Sequence, residues 1–237
     1  MSLTLPVDRA RWCDIDLIVS LVTATVSATP LGAWLVPDER QRPVVLAGVA
    51  RIWTEHALLF GDAFLLRNRT AATVWIHRYR PIPAPPRYAG RLAEACGEHT
   101  PRFLRLDRAL AAHRPGEAHN HLAFLAVPPG PGGTERAEAV LAMSQRWMDN
   151  LGLPTYAETC AGTHGDLYRR HGYADRGEFP LPDGATARSL WRLPSPRATP
   201  RNAPLLAQRC TRRRRPGRDD GVTGWTSGRP APDGPAA

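Results

Sequence analysis

The sequence contains no lysine, so all 31 of its basic residues are arginine. This bias is typical of G+C-rich genes and indicates no particular function. Only four cysteines are present, Cys13, Cys96, Cys160 and Cys210. They form no Cys-x-x-Cys pair, and no histidine stands at the spacing of a zinc ligand. We therefore expect reduced thiols, with no disulfide framework and no structural metal site.

Long apolar runs are missing as well. The longest candidate, residues 15–26, is interrupted by Ser and Thr, and it is shorter than the roughly 18 to 20 residues that span a bilayer. The first 16 residues lack the basic segment, apolar core and small-residue cleavage site of a secretory signal. These absences predict a soluble, cytoplasmic protein that does not enter a membrane.

The positive charge is concentrated at the C-terminus. Residues 195–237 contain nine arginines and three aspartates, which supply +6 of the formal +9, so residues 1–194 hold only +3. The C-terminal segment is rich in Pro, Gly and Arg and has few apolar residues, so burial cannot offset the entropy lost on ordering it. We predict a folded domain over residues 1–194 and a disordered basic tail over residues 195–237.

Residues 1–194 mix helical and strand patterns. Apolar residues at three-to-four spacing predict helices over 14–28, with Asp14 as the cap, and over 43–60, 88–96, 101–113, 135–151 and 163–171, with a short turn after Pro30. Short apolar runs predict a hairpin over 62–77 that turns near Asn68, and strands at 121–127, 155–160, 173–181 and 187–193. This order predicts an α+β domain.

One strand runs into a Gly-rich turn and then a helix, in the stretch "HLAFLAVPPGPGGTERAEAVLAMSQRWMDN" over residues 121–150. Such a turn brings several backbone N–H groups to the positive end of the helix, which suits a phosphate group. Gly-rich turns before helices are common, so the pattern alone is a weak indication of a phosphate site.

This stretch, together with residues 151–193, closely resembles the GNAT superfamily of acetyl-CoA-dependent N-acetyltransferases, in the form common in actinobacteria. Three pieces carry the resemblance: "LAV" at 125–127, "GLP" at 152–154 and "LYRRHGY" at 167–173. It extends over residues 14–193. The resemblance implies a mixed, mostly antiparallel central sheet flanked by helices, with its fourth and fifth strands splayed apart.

The resemblance also implies acetyl-CoA as co-substrate in the gap between the splayed strands, without a metal. The strand end that pairs with the pantetheine arm corresponds to Leu125, Ala126 and Val127. The pyrophosphate motif, Q/R-x-x-G-x-G/A, falls on Gly132, Gly133, Thr134, Glu135, Arg136 and Ala137. This motif is degenerate, because Gly132 replaces the Gln or Arg and Glu135 replaces the central Gly. An Asn that contacts the cofactor corresponds to His164.

The catalytic groups follow from the same resemblance and from the reaction itself. Tyr168 matches the tyrosine that protonates the leaving thiolate of CoA, and a phenol is protonated at neutral pH. An amine must be neutral to attack a thioester, so a base is needed, and His121, Glu158 and His119 are the candidates. The acetyl group would pass directly to a primary amine of a small molecule, with backbone N–H near Leu125 stabilising the tetrahedral intermediate.

Two other functions remain open. The degenerate loop is also consistent with a GNAT-fold binding or regulatory module that has lost catalysis. The less favoured alternative is nucleic-acid binding through the four consecutive arginines 212–215, since such a run is usually only solvated. The oligomeric state, monomer or homodimer, is open too.

Overall fold

Seven strands form one sheet with a single parallel pair near its centre. The computed structural model describes residues 6–160 and 165–195. The strands lie in the order β1-β2-β3-β4-β5-β7-β6, and only β4 and β5 are parallel. Their bounds are β1 Val7–Arg9, β2 Gly61–Leu66, β3 Ala72–Arg78, β4 His119–Ala126, β5 Thr155–Cys160, β6 Ala174–Pro180 and β7 Thr186–Arg192. The predicted mixed, mostly antiparallel sheet is confirmed.

Seven α-helices flank this sheet in the described residues. They are α1 Ile15–Ser27, α2 Pro30–Leu35, α3 Arg42–Phe60, α4 Tyr88–Cys96, α5 Thr100–His113, α6 Gly133–Asn150 and α7 Gly165–Arg170, with 3-10 turns at Trp12–Asp14 and Gly97–His99. Over the described residues the predicted helices agree with these bounds to within two residues, and the predicted start of the last helix at residue 163 lies outside the described residues. The sequence pattern did not predict β1, because three residues are too few to show alternation.

Asp14 does not cap α1 through its side chain as predicted. The 3-10 turn runs directly into the helix, and the Asp14 carboxylate instead accepts from the Arg11 backbone N–H at 2.9 Å and from the Arg69 guanidinium at 3.1 Å. These hydrogen bonds, the Arg11 one foremost, lower the pKa of Asp14 against the effect of its burial. The side chain therefore fastens the chain before α1 to the β2–β3 hairpin.

Each face of the sheet is covered by its own set of helices. On one face, α6 and α7 pack on alternate strand residues such as Phe64, Trp75 and Leu122. On the other face, α1 and α3 pack on the intervening residues, including Leu65 and Ile76. Fully burying each large apolar side chain stabilises the fold by about 1.5 to 3 kcal/mol. Strand alternation therefore decides which layer each site residue faces.

The longest helix of the described residues, α3, is by length and composition able to cross a membrane, with a mean hydropathy of 1.2. Here it packs against α1, α4 and β2, and Leu46, Ala50 and Ala57 are buried. It is a core helix of this domain. The C-terminal tail lies outside the described residues beyond Ser195, so the boundary at residue 194 stays a prediction.

Candidate active site

Strands β4 and β5 pair over three residues and then diverge. The register joins Asn120 to Thr155, His121 to Tyr156 and Leu122 to Ala157, and β4 continues to Ala126 without a further partner on β5. A bulge at Ala123 bends β4 at this point, because Val74 and Trp75 face Phe124 and Leu122 across the ladder. The predicted splay is confirmed, and past Leu122 the β4 backbone groups that face β5 have no strand partner.

A cavity of about 540 Å³ meets the sheet at this divergence. Its walls come from the α1–α5 layer and from the Pro-rich loop after β3, and its floor includes Ala123 and Phe124 of β4 together with residues 158–160 of β5. The lining is mostly apolar, with a few charged groups. This size and composition are typical of a small-molecule site.

His121 and Glu158 form a buried pair on the cavity side of the sheet. His121 Nε2 lies 2.7 Å from Glu158 Oε2, and both residues line the cavity. Because a carboxylate only accepts, Nε2 donates the hydrogen of this bond, and Nδ1 keeps a free lone pair when the imidazole is neutral. Burial opposes ionisation of Glu158, but the hydrogen bond from His121, and the charge of His121 when that ring is protonated, hold the pKa of Glu158 below the usual value.

Two acceptor atoms of this pair have no hydrogen-bond partner among the described residues. They are His121 Nδ1 and Glu158 Oε1, and both are shielded from solvent. Buried polar atoms are nearly always satisfied in folded proteins, so an unsatisfied pair beside a cavity is a feature that requires an explanation.

His119 has a different environment from His121. It is 1% exposed, it does not line the cavity, and its Nδ1 hydrogen-bonds to the Glu117 carbonyl at 2.6 Å. Its ring contacts the edges of Tyr156 and Trp191. Burial lowers the pKa of His119 to about 4. It is a neutral core residue at physiological pH.

Tyr168 lies on the opposite face of the sheet, in the layer of α6 and α7. It is buried among Leu122, Ala157 and Leu167, and its ring meets Tyr173 edge-on at 5.2 Å between centroids. Burial raises the pKa of Tyr168, and the neighbouring Tyr173 and the Glu158 carboxylate raise it further. The phenol therefore stays protonated, and the charge of Glu158 acts on it from across the sheet.

The loop between β4 and α6 is shorter than the Gly-rich motif predicted. Gly132 takes a left-handed conformation with φ of 68° and stands as the N-cap, and α6 begins at Gly133. Residues 133–137 of the motif are therefore helical. The free N–H groups of the first turn still point out of the helix end, which remains suited to an anion.

Two charged side chains define the surroundings of this helix end. Arg136 donates to the carbonyls of Thr70 at 3.0 Å and Pro128 at 2.9 Å, which fastens the loop to the β2–β3 turn. Glu135 is exposed, and its Oε2 lies 3.8 Å from the point where a Cβ on Gly132 would stand. The carboxylate thus sits over the helix end, where it repels an anion.

The remaining residues of the predicted site differ in exposure. Ala126 and Val127 are buried and Leu125 is half-buried against the α6 layer, so only their backbone is suited to a ligand in the gap. Thr134 is exposed at the helix end and Ala137 is buried beneath it. His164 lies outside the described residues. Within the described ranges, no group of three His, Cys, Asp or Glu residues is placed to hold a metal ion.

Several polar residues of the cavity were not predicted from the sequence. Arg78 at the end of β3, Arg114 after α5, Asp107 on α5 and Tyr88 on α4 all line it. Tyr88 donates its hydroxyl hydrogen to Asp107. No motif marks these positions, because they come together from three separate elements, β3, α4 and α5 with the residue that follows it. The only signal for Arg78 was a basic residue ending an otherwise apolar strand.

Comparison with solved structures identifies the fold. An acetyltransferase of Corynebacterium glutamicum, whose name reads histone acetyltransferase HPA2 and related acetyltransferase, matches with a TM-score of 0.60 at 19% identity, over 81% of this chain and 97% of its own. An agmatine N-acetyltransferase variant in its apo form matches with a TM-score of 0.51 at 17% identity, over 79% and 98%. No family model matches the sequence. The chain has the fold of the GNAT acetyltransferases.

Proposed function

We propose that this protein transfers the acetyl group of acetyl-CoA to a primary amine of a small molecule. The observation that carries the proposal is the divergence of β4 from β5 beside the His121–Glu158 pair, which lines the cavity. Acyl transfer from a thioester to an amine requires a proton acceptor and a proton donor, and Tyr168, buried on the opposite face of the sheet, is the proposed donor.

The residues present fit acetyl-CoA unequally along its length. The unpaired β4 backbone beyond Leu122 is suited to the amides of the pantetheine arm, and the first-turn N–H groups of α6 to the pyrophosphate. The negative charge of Glu135 opposes binding of the pyrophosphate at this helix end. Bound there, acetyl-CoA supplies the activated thioester. We therefore expect binding that is governed more by the strand gap than by the helix end.

On the cavity side of the gap, the His121–Glu158 pair accepts the proton of the attacking amine. Nitrogen of the neutral amine attacks the thioester carbonyl carbon, and its proton passes to the His121–Glu158 pair, directly or through one water molecule. Glu158 orients the imidazole and stabilises the imidazolium that forms. We expect backbone N–H groups of β4 near Leu125 to stabilise the oxyanion of the tetrahedral intermediate.

Tyr168 completes the reaction as the proposed proton donor. The intermediate collapses by breaking the carbon–sulfur bond, and the thiolate of CoA takes the proton of the Tyr168 hydroxyl. Because its burial keeps this phenol protonated, it is ready to donate. The products are the N-acetyl amine and CoA. The proton held by the imidazolium returns to solvent, which in turn reprotonates the tyrosine.

The proposal is tested by thiol release from acetyl-CoA with a panel of primary amines, using the full chain. Tyr168→Phe removes the proton donor, and Tyr79→Phe, at a residue with 54% exposure, is the matched control. We expect turnover with at least one amine, a strong loss in the first variant and none in the control. Absence of turnover across aliphatic, aromatic and carboxylated amines would refute the proposal.

A second candidate is a binding module of the same fold that has lost catalysis. The position of the Glu135 carboxylate over the helix end favours it. It predicts that the double variant Glu135→Gly with Gly132→Gln, which restores the family motif, gains CoA binding that the parent chain lacks. If the parent chain binds and turns over acetyl-CoA, this candidate is wrong.

A further inference from the structure

Two arginines of the cavity have no counter-ion. Arg78 and Arg114 both line it, and among the described residues neither side chain makes a hydrogen bond or an ion pair. The Nε atom of each is buried without a partner. An arginine inside a protein is usually paired, because an unpaired buried charge is costly.

The carboxylates nearby are engaged elsewhere. Glu158 accepts from His121 at 2.7 Å, and Asp107 accepts from Tyr88. Both lie close enough to influence the arginines electrostatically but not within ion-pair distance. His56 is the other titratable group in this part of the cavity, and its burial and the charge of Arg78 lower its pKa, so it is neutral. Among the cationic groups that line the cavity, the two guanidinium groups are therefore the ones without a hydrogen-bond or ion-pair partner in the described residues.

The two arginines also act on each other. Burial foremost, and then the positive charge of Arg114, lower the pKa of Arg78 to about 10, while Glu158 opposes this. Arg78 remains protonated at neutral pH. Two like charges held together in a partly buried site are relieved when an anion binds between them, and the planar fork of a guanidinium suits a carboxylate.

We infer that the amine acceptor carries a carboxylate, which binds to Arg78 and Arg114, and an apolar body, which fills the rest of the cavity. This inference rests on the proposed function and narrows its substrate to amino acids with apolar side chains. The strand register is consistent with this inference, because Arg78 lies opposite His119 and Ile76 opposite His121. The Cα atom of Arg78 is thus offset by two residues, about 7 Å, along the strand from the position opposite His121.

The remaining walls account for the apolar body. Much of the remaining wall consists of apolar side chains from α2, α3, α5 and the β6–β7 turn, for example Leu35, Trp53, Phe103, Leu106 and Leu181. These side chains offer no partner to a charged group. A carboxylate, a reacting amine and an apolar side chain are therefore the three parts of the ligand that this cavity accommodates.

The test compares matched substrates that differ by one carboxylate. Initial rates of the full chain with acetyl-CoA are measured for phenylalanine against phenethylamine and for leucine against isoamylamine. Hydrogen bonds to charged groups of this kind predict a preference for the amino acid of roughly 10- to 100-fold in kcat/KM. Equal or better use of the two simple amines would overturn the inference while leaving the proposed function intact.

Variants of the two arginines test whether these residues cause the preference for substrates with a carboxylate. Arg78→Gln and Arg114→Gln each remove one positive charge. Arg78→Lys keeps the charge but lacks the planar guanidinium group that can donate two parallel hydrogen bonds to a carboxylate. The control is Arg146→Gln, at an exposed residue on α6 across the sheet. We expect the ratio of the two kcat/KM values to fall in both cavity variants, partly in Arg78→Lys and not in the control. An unchanged ratio in a folded Arg78→Gln protein would overturn the inference.

A binding measurement separates the two possible failures. Hydrocinnamate has the carboxylate and the apolar ring but no amine, so its binding does not depend on acetyl transfer. Calorimetry should show saturable binding to the parent chain that weakens at least tenfold in Arg78→Gln, whereas the corresponding alcohol should bind weakly to both. Hydrocinnamate binding without turnover would contradict the proposed function alone, and no preference for the acid over the alcohol would contradict this inference.

Discussion

The Glu135 carboxylate provides the sharpest test of where the pyrophosphate binds. It stands in the first turn of α6, over the left-handed Gly132 that caps the helix. The substitution Glu135→Gln removes its charge and keeps its shape. Because an acidic residue is favourable at an empty helix N-terminus but repels a bound anion, this substitution should tighten CoA binding.

The size of the effect depends on the exposure of the site. Glu135 is exposed, so a water-like dielectric applies, and two phosphate charges about 6 Å away cost about 1.4 kcal/mol in total. Ionic screening reduces this cost, since the Debye length is about 30 Å at 0.01 M salt and about 8 Å at 0.15 M. The Kd for CoA should fall about sevenfold at the lower ionic strength and about threefold at the higher.

The assay is calorimetric titration of CoA into the full chain at these two salt concentrations. Glu94→Gln removes the same charge at an exposed residue of α4, in the layer on the other face of the sheet, and is the matched control. It should leave the Kd unchanged. An equal Kd for Glu135→Gln and the parent chain at low salt would mean that the pyrophosphate does not bind at the N-terminus of α6.

Three further predictions concern the gap and its surroundings. Glu158→Gln removes the charge that orients His121, so kcat/KM should fall roughly 100- to 10,000-fold at neutral pH. Thiol-release assays across pH 6 to 9 measure this loss. A loss of less than threefold would exclude the His121–Glu158 pair as the general base. Tyr168→Phe should lower kcat by a similar factor, with a much smaller change in KM, and a change confined to KM would contradict its role as acid. His119 has a pKa of about 4 in the fold and about 6.5 unfolded, so the unfolded chain binds its proton first. The free energy of unfolding should therefore fall by about 3 kcal/mol from this residue as the pH drops from 7 to 4, and His119→Gln, measured by chemical denaturation, should lack that component.

The order of elements was predictable because the sequence is locally consistent. Helical spacing identified α1, α3 and α5, and the apolar run of residues 121–127 identified β4. The strand β5 was also predicted from its apolar run, whereas the splay between β4 and β5 came only with the resemblance. The start of α6 was placed two residues late because Gly133 and Thr134 are poor helix formers, although the αL cap at Gly132 fixes the true start.

The site was only partly predictable, for a physical reason. His121 and Glu158 were each named as a possible base, but their hydrogen bond depends on a β4–β5 register that no pattern in the sequence specifies. Arg78 and Arg114 were missed because their significance lies in the absence of a partner. Arginines are frequent in this chain, and composition does not distinguish a paired one from an unpaired one.

The most direct test of the account is isothermal calorimetry of the full chain with acetyl-CoA, and with CoA for comparison. The account predicts saturable binding with a Kd in the micromolar range, about −8 kcal/mol, carried by the strand gap despite Glu135. No heat of binding, together with no rise in melting temperature at millimolar acetyl-CoA, would contradict it.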